Sequence, residues 1–305
     1  MPQKQEAGEG KVEPRVSRIT ERYLEKQLAQ FAKTIKQEPW AKDMDLVGAV
    51  RRNVAHAEDK HESIYKRHAK SRKISLEKYK KQLQARIEKI VQDAHFFKRV
   101  GDVGLNDILN GSGQFKSKRE TGGSSSSSGK EGASTHEKRY GIPQSADRST
   151  WPHYGYLSSD GNGLIDEGKA DMDGYGKITI KFNKKKILTR TTITFDDSWN
   201  DSNLVSTPAA HPHFTSAFPG PFTYGKQSTI SEFDPLNLPD SGNPPIDEVG
   251  RHHYYEAQYH GGIGRDDIES IHIRKSDWDN DAKLRATIET FQKNNPKSKI
   301  KIIIY

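Results

Sequence analysis

Apolar residues along this chain change their spacing once, and that change limits what the chain can build. Through residues 16–97 they recur at three- and four-residue steps, as in Ile19, Tyr23, Leu24, Leu28 and Phe31, and again in Leu76, Tyr79, Leu83, Ile87, Ile90 and Val91. Such spacing lines one face of an α-helix. Pro39 interrupts the first helix, and Ser75 ahead of Glu77 offers a start for the last. Three or four amphipathic helices follow from this pattern. After residue 150 the period becomes two. Residues 151–157 read as a strand entry, Lys177-Ile178-Thr179-Ile180-Lys181-Phe182 alternates, and residues 186–195 read as a further strand with Arg190, Thr192 and Thr194 on one face. Residues 268–273 and 299–305 add strands, and residues 279–293 a helix ended by Pro296.

The two regimes meet around Gly101. Leu105-Asn106-Asp107-Ile108-Leu109-Asn110-Gly111 reads as a short helix with a glycine stop, and residues 117–135, with five consecutive serines, read as a mobile loop. Residues 199–250 are rich in Pro, Gly, Asn, Ser and Asp and form long loops, which inside a domain are usually functional or disordered. The expected fold class is α+β, with a helical N-terminal domain over residues 1–100 followed by a mixed β-sheet domain over residues 101–305.

Charge separates the same two regions. The net charge is +8, yet residues 1–100 hold 24 Lys and Arg against 14 Asp and Glu, so the rest of the chain is close to neutral. Ten Lys and Arg fall between residues 66 and 89. On a helix this is either a solvated face or a footprint for a phosphate backbone, with Tyr65 and Tyr79 as candidates to stack on bases. Cysteine is absent, which excludes disulfides and thiolate metal sites. The start is polar and no run reaches the roughly 18 apolar residues of a membrane helix, so a soluble, cytoplasmic protein with no membrane partner is expected.

Several motifs are weak. Residues 158–169 have glycine and isoleucine in EF-hand register, but Ser158 and Lys169 stand where ligands belong, so an Asn-Gly turn is the better reading. His211, His213, His252, His253 and His260 form no His-Glu-x-x-His helix, and no metal site is assigned. Gly-x-Ser-x-Gly and phosphate-cradling patterns do not occur.

The stretch with most chemical content is Tyr254-Tyr255-Glu256-Ala257-Gln258-Tyr259-His260-Gly261-Gly262. On a strand, Glu256, Gln258 and His260 emerge side by side, with Tyr255, Ala257 and Tyr259 opposite. Glu-x-Gln-x-His-Gly, followed by Gly264-Arg265-Asp266-Asp267-Ile268-Glu269, resembles the closing catalytic strand of a toxin- and phage-associated branch of the mono-ADP-ribosyltransferases. That superfamily reads, in chain order, an Arg on the first strand, a Ser/Thr-rich second strand, and a Glu on a later strand. Further blocks carry the resemblance. They are Leu105-Asn106-Asp107-Ile108-Leu109 with Gln114-Phe115-Lys116-Ser117 and Glu120-Thr121-Gly122; Arg148 ahead of Tyr154-Gly155-Tyr156-Leu157; and Tyr175-Gly176 leading to Arg190-Thr191-Thr192-Ile193-Thr194-Phe195 and Asp197-Ser198.

The resemblance implies that residues 101–305 are an ADP-ribosyltransferase-like domain using NAD as substrate. It assigns Glu256 to the carboxylate that stabilises an oxocarbenium-like state as the nicotinamide–ribose bond breaks. Arg148, chosen over Arg139 and Arg190, is expected to take the pyrophosphate, and Thr192, Thr194 and Ser198 to fix the ribose. Gln258 and His260 share the Glu256 face, one to orient the acceptor and His260 to serve as its base. Ser228-Thr229-Ile230-Ser231 rivals residues 191–194 for the Ser/Thr strand. The implied protein is a toxin-like transferase acting on a macromolecule, with RNA or DNA slightly favoured over protein. An antitoxin or secretion chaperone, or a phage component, is a possible partner. The competing class is a catalytically inactive transferase-like fold acting as a basic nucleic-acid-binding or structural module.

Overall fold

A computed structural model of the chain describes residues 29, 32–33, 35–42, 44–117, 120–121, 137, 140–163, 175–195, 236 and 255–305. Helix α1 (Leu46–Ser71) opens at Asp45, whose carboxylate accepts the Gly48 N–H at 3.2 Å, and helix α2 (Leu76–Asp93) opens at Ser75, whose hydroxyl accepts the Lys78 N–H at 3.2 Å. Both are side-chain N-caps, and each satisfies a backbone donor the helix cannot. α2 ends at Asp93 and the chain passes directly into strand β1 (His95–Val100). The helical reading through residue 97 is therefore corrected. Lys184 stops the helix, its ammonium donating to the carbonyls of Val91 (2.8 Å), Gln92 (2.6 Å) and Ala94 (2.8 Å).

The remaining elements are α3 (Asp102–Asn110), β2 (His153–Ser158), β3 (Ile178–Phe182), α4 (Lys184–Ile187), β4 (Thr191–Phe195), β5 (Tyr255–Tyr259), β6 (Ile268–Ile273), α5 (Lys275–Asn280), α6 (Ala282–Asn294) and β7 (Lys301–Ile304). Residues 186–195 are thus not one strand. Asn183 caps α4 by accepting the Lys185 N–H at 3.1 Å, a 3-10 turn follows at Leu188–Arg190, and only then does the chain extend. The strands form one mixed sheet in the order β4-β5-β2-β1-β3-β6-β7, antiparallel throughout except for the parallel pair β6–β7. This is a mixed α and β fold in which β1 is the middle strand.

Register divides the sheet into two unlike faces. Phe96, Leu157, Tyr255, Ala257, Ile193, Ile180 and Ile271 share one face, and Tyr65, Ala69, Tyr79, Leu83, Leu105, Ile108, Leu284 and Phe291 of the helices join them in one buried apolar cluster. The two tyrosines are fully buried there and do not present rings to a nucleic acid. Across the other face the paired residues run Thr192, Gln258, Tyr154 on one line and Thr194, Glu256, Tyr156, Phe97, Lys181, Ser270 on the next, with Arg99, Thr179 and His272 beside them. That face is polar and largely buried. A smaller apolar cluster of Ile35, Ala41, Leu46, Val50, Tyr140, Ile142 and Trp151 lies against the segment preceding α1. Among the described residues no helix is long and apolar enough to cross a membrane. Of the expected loops over residues 117–135 and 199–250, all but residues 117, 120, 121 and 236 fall outside the described residues.

Candidate active site

β5 carries the centre of the site. All five of its residues are buried, the apolar ones in the core and Glu256 and Gln258 on the polar face. Tyr259 anchors the strand across the sheet, its hydroxyl donating to the Phe97 carbonyl at 2.9 Å, and Gly155 leaves the space for it, since a Cβ there would lie 2.1 Å from the Phe97 oxygen.

β1 and β2 pair only through His95–Phe97 against Tyr156–Ser158. Beyond Phe97 the Lys98 ammonium, instead of a ladder, meets the Tyr154 carbonyl at 2.9 Å. A cleft opens at this end, with a cavity volume of about 90 Å³ between walls formed by Lys98, Arg99, Lys116, Pro152, His153, Tyr154, Gly155, Tyr156, Tyr175 and Glu256. Three cations stand in the walls beside the Glu256 carboxylate, but Lys116 also pairs with Asp107 at 3.1 Å, so the positive balance of the cleft comes chiefly from Lys98 and Arg99. Glu256 is only 4% exposed, and Arg99 only 7%.

A chain of hydrogen bonds leads away from Glu256 along the polar face. Gln258 Nε2 donates to Glu256 Oε1 at 2.6 Å, Thr192 Oγ1 donates to Gln258 Oε1 at 2.8 Å, and Thr192 Oγ1 lies 2.9 Å from His260 Nε2. His260 is fully buried beneath Trp40, whose ring stacks at 6.5 Å and 14°, and Tyr140, whose ring stands edge-on at 5.4 Å and 65°. Neither Gln258 nor His260 lines the cleft.

Arg190 has a different task. Its guanidinium donates to the Gly262 carbonyl at 2.7 Å and pairs with Asp267 at 2.6 Å, clamping the turn after β5, and its own carbonyl accepts the His260 N–H at 2.9 Å. Arg148 sits in a 3-10 turn, Arg148–Thr150, and Thr194 stands opposite Glu256 in register. The side chains of both, and Ser198, Arg139 and residues 228–231 entirely, fall outside the described residues.

Sequence reasoning overlooked Lys98, Arg99, Lys116 and His153. Burial dominates His153, which packs edge-on against Phe115 at 6.2 Å, and desolvation, aided by the charges of Lys98, His260 and Arg190, pushes its pKa down to about 3. It is a neutral wall group at physiological pH. Among the described residues no group of three His, Asp or Glu is arranged to hold a metal ion. Asp160-Gly161-Asn162-Gly163 forms a turn, with the Asn162 N–H donating to Asp160 Oδ1 at 2.8 Å and Gly163 at φ 73°.

Comparison with protein-family models and with curated protein sequences finds no match to this chain. The chemistry therefore rests on the site itself. It offers a nearly buried carboxylate held from behind by an amide, facing a cleft that also contains a guanidinium and two ammonium groups.

Proposed function

We propose that the protein is an NAD-dependent ADP-ribosyltransferase of toxin-like type. The observation that carries this reading is that Glu256 and Arg99 wall the same cleft, one from β5 and one from the first strand of the sheet. The resemblance described above expects an Arg on the first strand and a Glu on a later one, and Arg99 meets that order. We therefore assign the pyrophosphate to Arg99 in place of Arg148, with Lys98 adding positive charge. A bidentate guanidinium fits a phosphate pair better than an ammonium does.

In this reading the bond between ribose C1′ and the nicotinamide nitrogen breaks, and nicotinamide leaves with the bonding electrons. The ribosyl cation that develops is stabilised by the Glu256 carboxylate in a site shielded from bulk water. An acceptor nucleophile then attacks C1′ and gives up its proton. Glu256 thus touches the reacting sugar, while Thr192 and Gln258 hold Glu256.

A nucleic acid acceptor is favoured by the exposed cations Arg67, Lys70, Lys73 and Lys78 around the turn joining α1 to α2. Neighbouring Lys66 and Lys81 already pair with Glu62 and Glu77. The same cations support the second reading, an inactive transferase-like fold that binds nucleic acid, and they suit an acidic antitoxin or chaperone as well.

Incubation with labelled NAD and a cell lysate separates these readings. A transferase releases nicotinamide and transfers label into nuclease-sensitive or protease-sensitive material, and Glu256→Gln abolishes both. Nicotinamide release unaffected by Glu256→Gln would remove the catalytic assignment. No NAD consumption, together with salt-dependent nucleic-acid binding, would leave the second reading.

A further inference from the structure

His260, which sequence reasoning cast as a base, sits in the wrong place for one, and its hydrogen bonds suggest a different role. We propose that His260 is a positioning residue for Glu256, acting through Thr192 and Gln258, and that Trp40 from the segment preceding α1 holds its ring in place. The kinetic part of this inference rests on the transferase reading above; the structural part does not.

The direction of each proton follows from the chemistry of the groups. An ionised carboxylate accepts only, so Gln258 must turn its NH2 toward Glu256 Oε1, 2.6 Å away. The Gln258 oxygen then faces Thr192 and takes the hydroxyl proton at 2.8 Å. A hydroxyl has one proton, and this one is committed. The 2.9 Å contact between Thr192 Oγ1 and His260 Nε2 must therefore be donated by the imidazole, which fixes His260 as carrying a proton on Nε2. Nε2 is already donating, and Nδ1, which keeps the lone pair, is buried in a ring that does not line the cleft, so neither nitrogen takes a proton from a substrate there. The imidazole can hold the hydroxyl, which holds the amide, which holds the carboxylate.

The roof over His260 comes from far away in the chain. Trp40 stacks on the imidazole and donates its own Nε1 proton to Glu38 at 3.1 Å. Its approach depends on Gly261, which has φ 82° and where a Cβ would lie 2.1 Å from Trp40 Cε2. Tyr140 closes the other side. All links of the chain are buried, so water does not compete for them.

Two measurements test this. The first uses ligand-free protein labelled with 15N in histidine, with His260 assigned by loss of its signals in His260→Gln. The expected spectrum shows His260 in the Nε2–H form, with that state disturbed by Thr192→Val; an Nδ1–H form would overturn the proposal whether or not the protein consumes NAD. The second is steady-state NAD hydrolysis by His260→Ala, Thr192→Val, their double variant, His260→Gln, Trp40→Ala and Trp40→Phe. Each of the two single removals should lower kcat about 10- to 100-fold while leaving KM within about twofold, as loss of an orienting partner does. The double variant should be no slower than the slower single one, His260→Gln should recover most of the rate because its amide can donate to Thr192, and Trp40→Ala should lower kcat where Trp40→Phe does not. Multiplicative losses, or losses confined to KM, would refute a chain acting as one unit. Wild-type protein that shows the Nε2–H form but consumes no NAD, either alone or with the lysate acceptors, would sink the transferase reading and leave the chain standing.

Discussion

His153 makes the fold acid-sensitive by an amount that can be worked out. Its ring is 2% exposed, and its pKa falls from the ordinary 6.5 to about 3 because burial, and then the nearby Lys98, disfavour the cation. Nε2 has no hydrogen-bond partner among the described residues. Above pH 6.5 the imidazole is neutral whether the chain is folded or not, so the pKa shift has no effect on stability. As pH drops below 6.5 the unfolded chain takes up a proton that the fold refuses, and stability declines until the folded pKa near 3 is reached. Between pH 7 and pH 5 the loss from this one group is about 2 kcal/mol. His272, also buried, with its pKa lowered to about 4 by desolvation and Lys181, loses stability over the same range, so wild type alone cannot isolate His153. The assay is urea unfolding at pH 7 and pH 5, followed by tryptophan fluorescence, for wild type and His153→Gln. Wild type should lose about 2 kcal/mol more than the variant across that interval, since the His272 contribution cancels. Equal losses would mean that His153 is not refused its proton and that the wall of the cleft is wetter than its packing indicates.

Other predictions concern single contacts. Lys184→Met removes the ammonium from three carbonyls where α2 gives way to β1 and should cost about 2 kcal/mol in urea unfolding, whereas a loss below about 0.5 kcal/mol would mean that water caps the helix equally well. Gly261→Ala should cost about 1–2 kcal/mol from the left-handed backbone alone, and should also displace Trp40 and shift its fluorescence; an unchanged spectrum would argue against the close approach. Arg99→Lys should raise KM for NAD about tenfold or more with little change in unfolding, because a fork becomes a point charge; the same effect from Arg148→Lys instead would return the pyrophosphate to Arg148.

The strand around Glu256 was legible because two chemistries alternate in it, and the structure keeps Glu256 and Gln258 on one face and Tyr255, Ala257 and Tyr259 on the other. β1 was not legible. His95-Phe96-Phe97-Lys98-Arg99-Val100 is covered on both faces, so adjacent phenylalanines are both buried and no period of two appears. Its phenylalanines also continue the apolar steps of α2, and the carbonyls that end that helix are capped by Lys184, some ninety residues later in the chain. Arg99 was missed for this reason, although the expected order of an Arg on the first strand was available to find it. Residues 186–190 misled in the opposite way: they lead directly into the alternating residues 191–195, while Asn183 and the lysines after it favour a helical turn. Burial of Tyr65 and Tyr79 under the sheet follows from where α1 and α2 pack, which composition alone does not specify.

The middle strand of the sheet has a consequence for biosynthesis. β1 finds its two neighbours only at residues 153–158 and 178–182, and Tyr259 reaches back 162 residues to bond Phe97. Long-range pairing of this kind is slow and must wait for the distant chain to leave the ribosome. A nascent chain that has released Arg99 lacks Glu256 for another 157 positions, so products truncated before residue 256 cannot contain both groups, and a cell translating this message meets a competent cleft only when most of the polypeptide has emerged.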